Sequence, residues 1–151
     1  MAERRISYAK DKADLIKRLV ADEDGTGPFR LIADVLVFAA ALGLKRGKSV
    51  PLGEAQAEPI RQEVFDRQGY DTMMNLLALH VTKDMEVLGT SDAMTQKRAQ
   101  IFEEYANGVL EILGAELRGA LNVLETTVLL VNAERAAPKT TLDTFDLAEL
   151  A

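Results

Sequence analysis

The sequence predicts an all-α fold: a single-domain bundle of about five to six helices around a buried apolar helix at residues 28–43. Apolar residues recur at helical spacing along most of the chain. Glycine and proline separate these segments, and the segment at 28–43 is apolar on nearly every side. With 151 residues, the chain is long enough to bury one hydrophobic core.

Composition restricts the class of protein. Hydrophobic residues make up 48% and charged residues 28%, as in a soluble globular domain. The chain has no cysteine, which excludes disulfides, thiolate catalysis and Cys-ligated metal sites. No apolar signal segment follows the first methionine, and the apolar helix is too short and too charged to span a bilayer. We therefore expect a cytoplasmic protein with no membrane contact.

The N-terminal half is predicted to contain two helices. The first runs from about Ser7, its N-cap, to Val20, and an acidic turn at residues 22–27 ends it. Pro28 suits the first position of the central helix, which Gly43 is expected to close. Arg30 and Asp34 are spaced to pair on its polar edge, and residues 44–48 form a basic loop.

Four further helices are predicted at residues 54–68, 71–82, 92–113 and 115–134. Pro59 interrupts or delays the first of these, and Ser91 caps the third. Residues 126–131 are β-branched and apolar, so a strand is the alternative to helix there. The predicted division is a helical domain at residues 1–137 and a short acidic-apolar tail at 138–151.

Charge is unevenly distributed along the chain. The net charge is −6, but residues 1–48 carry ten Lys/Arg against seven Asp/Glu, whereas residues 49–151 carry eight against seventeen. Lys45, Arg46 and Lys48 cluster after the central helix and, with Lys10, are candidate contacts to DNA phosphates. The alternative is that these cations simply suit the negative end of a helix.

The sequence identifies no catalytic residue, metal ligand or cofactor site. His80 is the single histidine, and Asp84 follows it by four residues. Asp84 could orient His80 as a general base, or the pair could be structural. The lack of a nucleophile motif favours the structural interpretation. A metal-dependent, nuclease-like activity would need carboxylates to converge in space. The candidates are Glu63, Asp66, Asp71, Glu103 and Glu104.

Three segments carry a resemblance to a known family: residues 32–43 with Lys45 and Lys48, residues 61–66 with 75–79, and residues 101–108 with 110–113. Together they resemble the small proteins called Dnd system-associated protein 4, encoded beside the bacterial machinery for DNA phosphorothioation. The likeness covers roughly residues 4 to 131. A second, architectural likeness is to the small helical subunit of the phosphorothioation complex, which binds nicked DNA through lysines.

The resemblance implies a role in DNA sulfur modification, its linked restriction and phage defence, and it implies no defined active site. We expect a non-enzymatic accessory protein that contacts other proteins of the operon and forms a homo-oligomer. Contact with the DNA backbone is a second candidate interaction. The alternatives are the nuclease-like component and a small regulator or antitoxin-type binding protein.

The segment at residues 103–108 is the most distinctive part of the resemblance. It is expected to form either an assembly surface or a polar network through Glu103, Glu104, Tyr105 and Asn107. Gly108 lies in the middle of a predicted helix, where glycine is unfavourable relative to alanine. Its presence indicates a close helix crossing or a kink.

Overall fold

The computed structural model describes residues 4–20, 27–56, 58–119 and 122–136. This part of the chain forms one predominantly α-helical domain, as predicted. The helices are α1 (Ala13–Leu19), α2 (Ile32–Arg46), α3 (Gln62–Arg67), α4 (Tyr70–Thr82), α5 (Asp92–Glu116) and α6 (Val123–Ala136). Short 3₁₀ turns lie at Lys10–Lys12 and Met85–Leu88, and β1 (Arg5–Ile6) pairs antiparallel with β2 (Ile60–Arg61).

The central helix α2 is buried along most of its length and packs mainly against α5. Its predicted bounds of 28 and 43 are wrong at both ends. The helix begins at Ile32 because the residue before it, Leu31, is extended, and the Leu31 N–H donates to the Asp34 carboxylate at 3.2 Å. It continues to Arg46 because Gly47, not Gly43, takes the left-handed conformation that ends it.

The N-terminal helix is shorter than predicted. It begins at Ala13, because residues 5–6 form a strand and residues 10–12 a 3₁₀ turn. The partner strand at residues 60–61 similarly reduces the predicted helix at 54–68 to Gln62–Arg67. This pairing joins segments more than fifty residues apart, so local periodicity did not indicate it.

The later helices agree more closely with the sequence. Helix α4 is one residue longer than predicted, and α5 begins after the expected Ser91 cap, whose hydroxyl accepts from Met94 N–H at 3.2 Å. Gly114 lies inside α5, which continues to Glu116. The core here includes an edge-to-face contact between Phe65 of α3 and Phe102 of α5, with centroids 5.5 Å apart.

Helix α6 confirms the helical alternative for residues 126–131. The hydroxyls of Thr126 and Thr127 donate to the carbonyls four residues earlier, at 2.9 and 2.7 Å, so these β-branched residues are accommodated within a helix. The predicted tail at 138–151 lies outside the described residues. Among the described helices, none has the length and apolar character needed to cross a membrane.

Candidate functional site

Helix α5 lies so close to α2 and to the chain just after it that two glycines are required. A Cβ atom on Gly43 would overlap the carbonyl of Tyr105, and one on Gly108 would lie 2.6 Å from the carbonyl oxygen of Lys48. Both obstacles are backbone atoms, which cannot rotate away. The mid-helix Gly108 therefore lies where the main chain just beyond the end of α2 passes close to α5, which is a close approach of the chain rather than a crossing of two helices.

The segment at residues 48–51 lies along α5 and is held there by hydrogen bonds. The Val50 N–H donates to the Glu104 carbonyl at 3.0 Å. The buried Asn107 amide donates to the carbonyls of Val50 and Pro51, at 3.2 and 3.1 Å. Side chain and main chain of the 103–108 segment thus contact a connection far away in sequence.

Glu103 contacts a different distant segment. Its Oε2 accepts the N–H of Ser7 at 2.5 Å, which fixes the residue after β1 against α5. Burial and, to a smaller extent, the neighbouring Glu104 charge raise the pKa of the Glu103 carboxyl to about 6, although the hydrogen bonds from Ser7 oppose the shift. At neutral pH this is an ionised carboxylate in a partly desolvated position.

Replacing Glu103 by glutamine should increase stability at neutral pH relative to the wild type. The folded-state pKa lies above the ordinary value of 4.5, so the folded protein binds the proton more tightly and loses stability as the pH rises from 4.5 through 6. The amide oxygen can still accept from Ser7. The free energy of unfolding of Glu103→Gln, relative to that of the wild type, should therefore rise by about 1 to 2 kcal/mol between acidic and neutral pH.

Denaturant unfolding of both proteins across this pH range measures the difference. Subtracting the two curves removes the contributions of the other carboxylates. A difference that stays constant, or that falls with pH, would contradict this assignment.

Two of the candidate DNA contacts, Lys45 and Arg46, are at the end of α2 and face carboxylates. Arg46 Nη2 lies 2.9 Å from Glu134 Oε2 of α6, and its Nη1 lies 3.7 Å from Glu116. Lys45 donates to the Glu134 carbonyl and lies 3.8 Å from its carboxylate. The first part of the predicted basic loop is therefore the last turn of α2, and Lys45 and Arg46 within it join α2 to α6.

The other two candidate contacts are more exposed. Lys48 Nζ is 3.9 Å from Glu111 on α5, and the Lys48 side chain is 41% exposed. Lys10 lies on the N-terminal 3₁₀ turn, 3.4 Å from Glu54, and its side chain is 63% exposed. Lys10 shares no carboxylate with the other three among the ion pairs of the described chain.

The carboxylates proposed for a nuclease-like centre do not assemble. Within the described residues, no group of three or more acidic or histidine side chains is arranged to hold a metal ion. Glu63 instead pairs with Arg67 at 2.5 Å. His80 is buried in α4, and the Asp84 carboxylate accepts from Glu86 N–H at 2.9 Å, where it caps the following turn.

Two polar contacts were not predicted from the sequence. Tyr70 donates to Asp34 at 2.5 Å, which joins α4 to the start of α2 and raises the pKa of the Tyr70 phenol above its usual range. Arg98 donates to the carbonyls of Val87 and Gly89 at 2.6 and 2.7 Å. Such contacts depend on tertiary geometry, which the local sequence pattern does not indicate.

Helix α6 exposes large apolar side chains to solvent. Leu124, Val128 and Val131 are spaced by four and three residues and so share one face. They are 44%, 49% and 36% exposed, and the adjacent Leu129 is 62% exposed. We call Leu124, Val128 and Val131 the outer face of α6.

Comparison with known proteins identifies the family. The sequence matches the family described as DNA sulphur modification system-associated protein 4 over residues 5–150. Searches of curated proteins and of solved structures give no match. The match extends beyond the predicted limit near residue 131 and includes most of the C-terminal tail. The chain therefore belongs to the DNA sulphur modification system-associated protein 4 family.

Proposed function

We propose that this protein is a non-enzymatic accessory component of a bacterial DNA phosphorothioation system, serving modification or its linked restriction of phage DNA. It acts in the cytoplasm through contacts with other proteins and with a second copy of itself. Family membership supports the association with the modification system. The observation that carries the mode of action is the exposed outer face of α6.

The outer face of α6 has the character of a contact surface. Apolar side chains at three successive positions of one face are costly to leave in water, and they stabilise a complex when a partner covers them. An apolar cleft of about 240 Å³ lies beside this face, between α6 and α2. Val131 lines this cleft together with Phe38 and Leu130, which extends the apolar surface toward the core.

A second copy of α6 complements this face. Arg135 continues the row of Leu124, Val128 and Val131, and Glu125 adjoins Leu124 at the other end. Two antiparallel α6 helices centred between Val128 and Val131 place each Glu125 near Arg135 of the partner subunit. A two-fold interface repeats this ion pair at both ends. Neither residue has an ion pair within the described chain, so both charges are available.

Sedimentation analysis over a wide concentration range tests self-association. The wild type should dimerise, and Val128→Glu should remain monomeric because it places a charge in the apolar centre. Glu125→Arg and Arg135→Glu should each weaken the dimer, and combining them should restore it. Leu76→Glu, at a 52% exposed position on α4, is the matched control and should dimerise normally. A monomeric wild type refutes self-association, and failure of the double variant to recover refutes the pairing of Glu125 with Arg135.

Co-purification from a host carrying the complete modification system tests the contact with other proteins. Wild type should retain specific proteins of the system, whereas Val128→Glu or Leu76→Glu should lose them if the altered surface carries the contact. A chain lacking residues 138–151 tests the tail in the same way. If wild type and all variants retain none of these proteins, the accessory role through protein contact is wrong, whatever the oligomeric state.

DNA-backbone contact is a second candidate function, favoured by the exposure of Lys10 and Lys48. Phosphate must displace Glu54 and Glu111 from these lysines, so affinity should be modest and salt-dependent. Each phosphate contact contributes about 0.9 to the slope of log affinity against log salt. Lys45 and Arg46 can contribute only if phosphate competes with Glu134.

Gel shift with intact, nicked and phosphorothioated duplexes at several salt concentrations tests this contact. Lys10→Glu and Lys48→Glu should weaken binding and reduce the salt slope. Glu111→Gln should strengthen binding because it releases Lys48. Lys97→Glu, on an exposed part of α5, is the control for total charge. Absence of a shift with wild type, or an equal loss with Lys97→Glu, refutes phosphate contact by these residues.

A further inference from the structure

A polar cleft of about 550 Å³ opens between the N-terminal strand, the start of α3 and the first half of α5. Gln96, Gln100 and Glu103 recur on one face of α5 and line the cleft, and Gln62 lines it from α3. A smaller adjoining cleft of about 210 Å³ shares Gln62 with it. The combined size is typical of sites that accept small organic molecules.

The charges around the cleft are unequally compensated. At one end Arg4 pairs with Asp92 at 3.0 Å. Glu103 lies eleven residues further along α5, about 16 Å by helical rise. No cation of the described chain lies within ion-pair distance of Glu103. The hydrogen bond from Ser7 engages Oε2, and the neighbouring Glu104 adds a like charge.

We propose that this cleft binds an organic cation bearing a guanidinium or primary ammonium group, with Glu103 as its charge partner. A partly buried carboxylate without a counter-charge is unfavourable, and a bound cation removes that cost. The three glutamine side chains supply amide oxygens that can accept the remaining N–H donors of such a group. The cation can be a free amine or an arginine or lysine side chain of a peptide.

The other charged groups around Glu103 limit which cations bind. Arg4 and Arg5 line the same cleft from the start of the described chain, and Asp92 lines it from α5, so with Glu103 the lining is formally neutral. Attraction is therefore local to the Glu103 end, and a small cation with directional donors is favoured over a diffuse one. Binding should weaken as the pH falls below about 6, because protonation of Glu103 removes its charge.

Calorimetric titration of the full chain tests the proposal with four probes. Agmatine and spermidine represent free amines, and a blocked arginine amide represents a peptide side chain. Tetramethylammonium has the charge but no N–H donor. We expect at least one of the first three to bind, and tetramethylammonium to bind about tenfold or more weakly. Which probe binds best distinguishes a free amine from a peptide.

Variants assign the binding to this cleft. Glu103→Gln should weaken binding about tenfold or more and remove its dependence on pH between 5 and 7. Glu104→Gln, on the adjacent residue outside the cleft lining, is the matched control and should bind like wild type at pH 7, where Glu103 is ionised in both proteins. The proposal is overturned if none of the three donors binds, if tetramethylammonium binds equally well, or if Glu103→Gln binds like wild type. None of these results depends on the dimer or on DNA contact.

Discussion

Gly43→Ala should lower the free energy of unfolding by about 3 kcal/mol, the upper part of the range for overpacking in a core. The added Cβ would overlap the Tyr105 carbonyl, a backbone group within α5. Relief requires separating α2 from α5, and this movement would disturb the packing along both helices. Gly108→Ala should cost about 2 to 3 kcal/mol, because its Cβ would meet the Lys48 carbonyl at 2.6 Å.

Gly114→Ala is the matched control for both substitutions. It lies in the same helix as Gly108, but its Cβ would meet only the Leu15 side chain at an ordinary 3.6 Å. Alanine is favoured over glycine in a helix by about 0.5 to 1 kcal/mol, so this variant should be neutral or more stable than wild type. Denaturant unfolding measures all three. Equal effects at positions 43, 108 and 114 would show that helix propensity, not the close approach, determines the result.

Glu134→Ala should destabilise the protein by about 2 to 3 kcal/mol. Its carboxylate lies against Arg46 at 2.9 Å and Lys45 at 3.8 Å, and all three side chains are at least two-thirds buried. Removing the carboxylate leaves two cations in a partly desolvated position without their shared counter-charge. Because these contacts attach α6 to α2, amide exchange should accelerate more in α6 than in α4.

Glu116→Ala provides the comparison for Glu134→Ala. Its carboxylate is 3.7 Å from Arg46, but its side chain is 43% exposed, and such surface pairs contribute about 0 to 1 kcal/mol. Thermal or denaturant unfolding, combined with hydrogen exchange, measures both variants. If the two cost the same, burial does not distinguish these pairs. If α4 and α6 exchange equally in Glu134→Ala, the ion pairs do not specifically hold α6.

The sequence predicted the features that depend on local pattern. The fold class, α4, the Ser91 cap and the helical state of α6 follow from apolar spacing and capping residues. Helix ends at glycines were less predictable. Gly43, Gly47 and Gly114 each follow an apolar helical segment and could each end a helix by their sequence alone. Only Gly47 does so, whereas Gly43 and Gly114 lie within α2 and α5.

Contacts between distant segments account for most of the remaining differences. The β1–β2 pair makes part of the predicted helix at 54–68 extended, and neither strand has enough residues to show an alternating pattern. For the candidate site, the sequence singled out the cations at 45–48, but not that Glu134, about ninety residues later, would face two of them. The family resemblance also singled out residues 103–108 without indicating what they contact.

Two adjacent residues of α5 bind two segments that are far apart in the sequence. The Glu103 side chain holds the main chain at Ser7, and the Glu104 carbonyl holds the main chain at Val50. A single helical turn therefore serves as a common anchor for the amino-terminal strand and for the connection that follows α2. Local unwinding of this turn would release both segments in one cooperative event. The most distinctive stretch of the sequence thus couples the unfolding of the amino-terminal segment to that of the chain after α2.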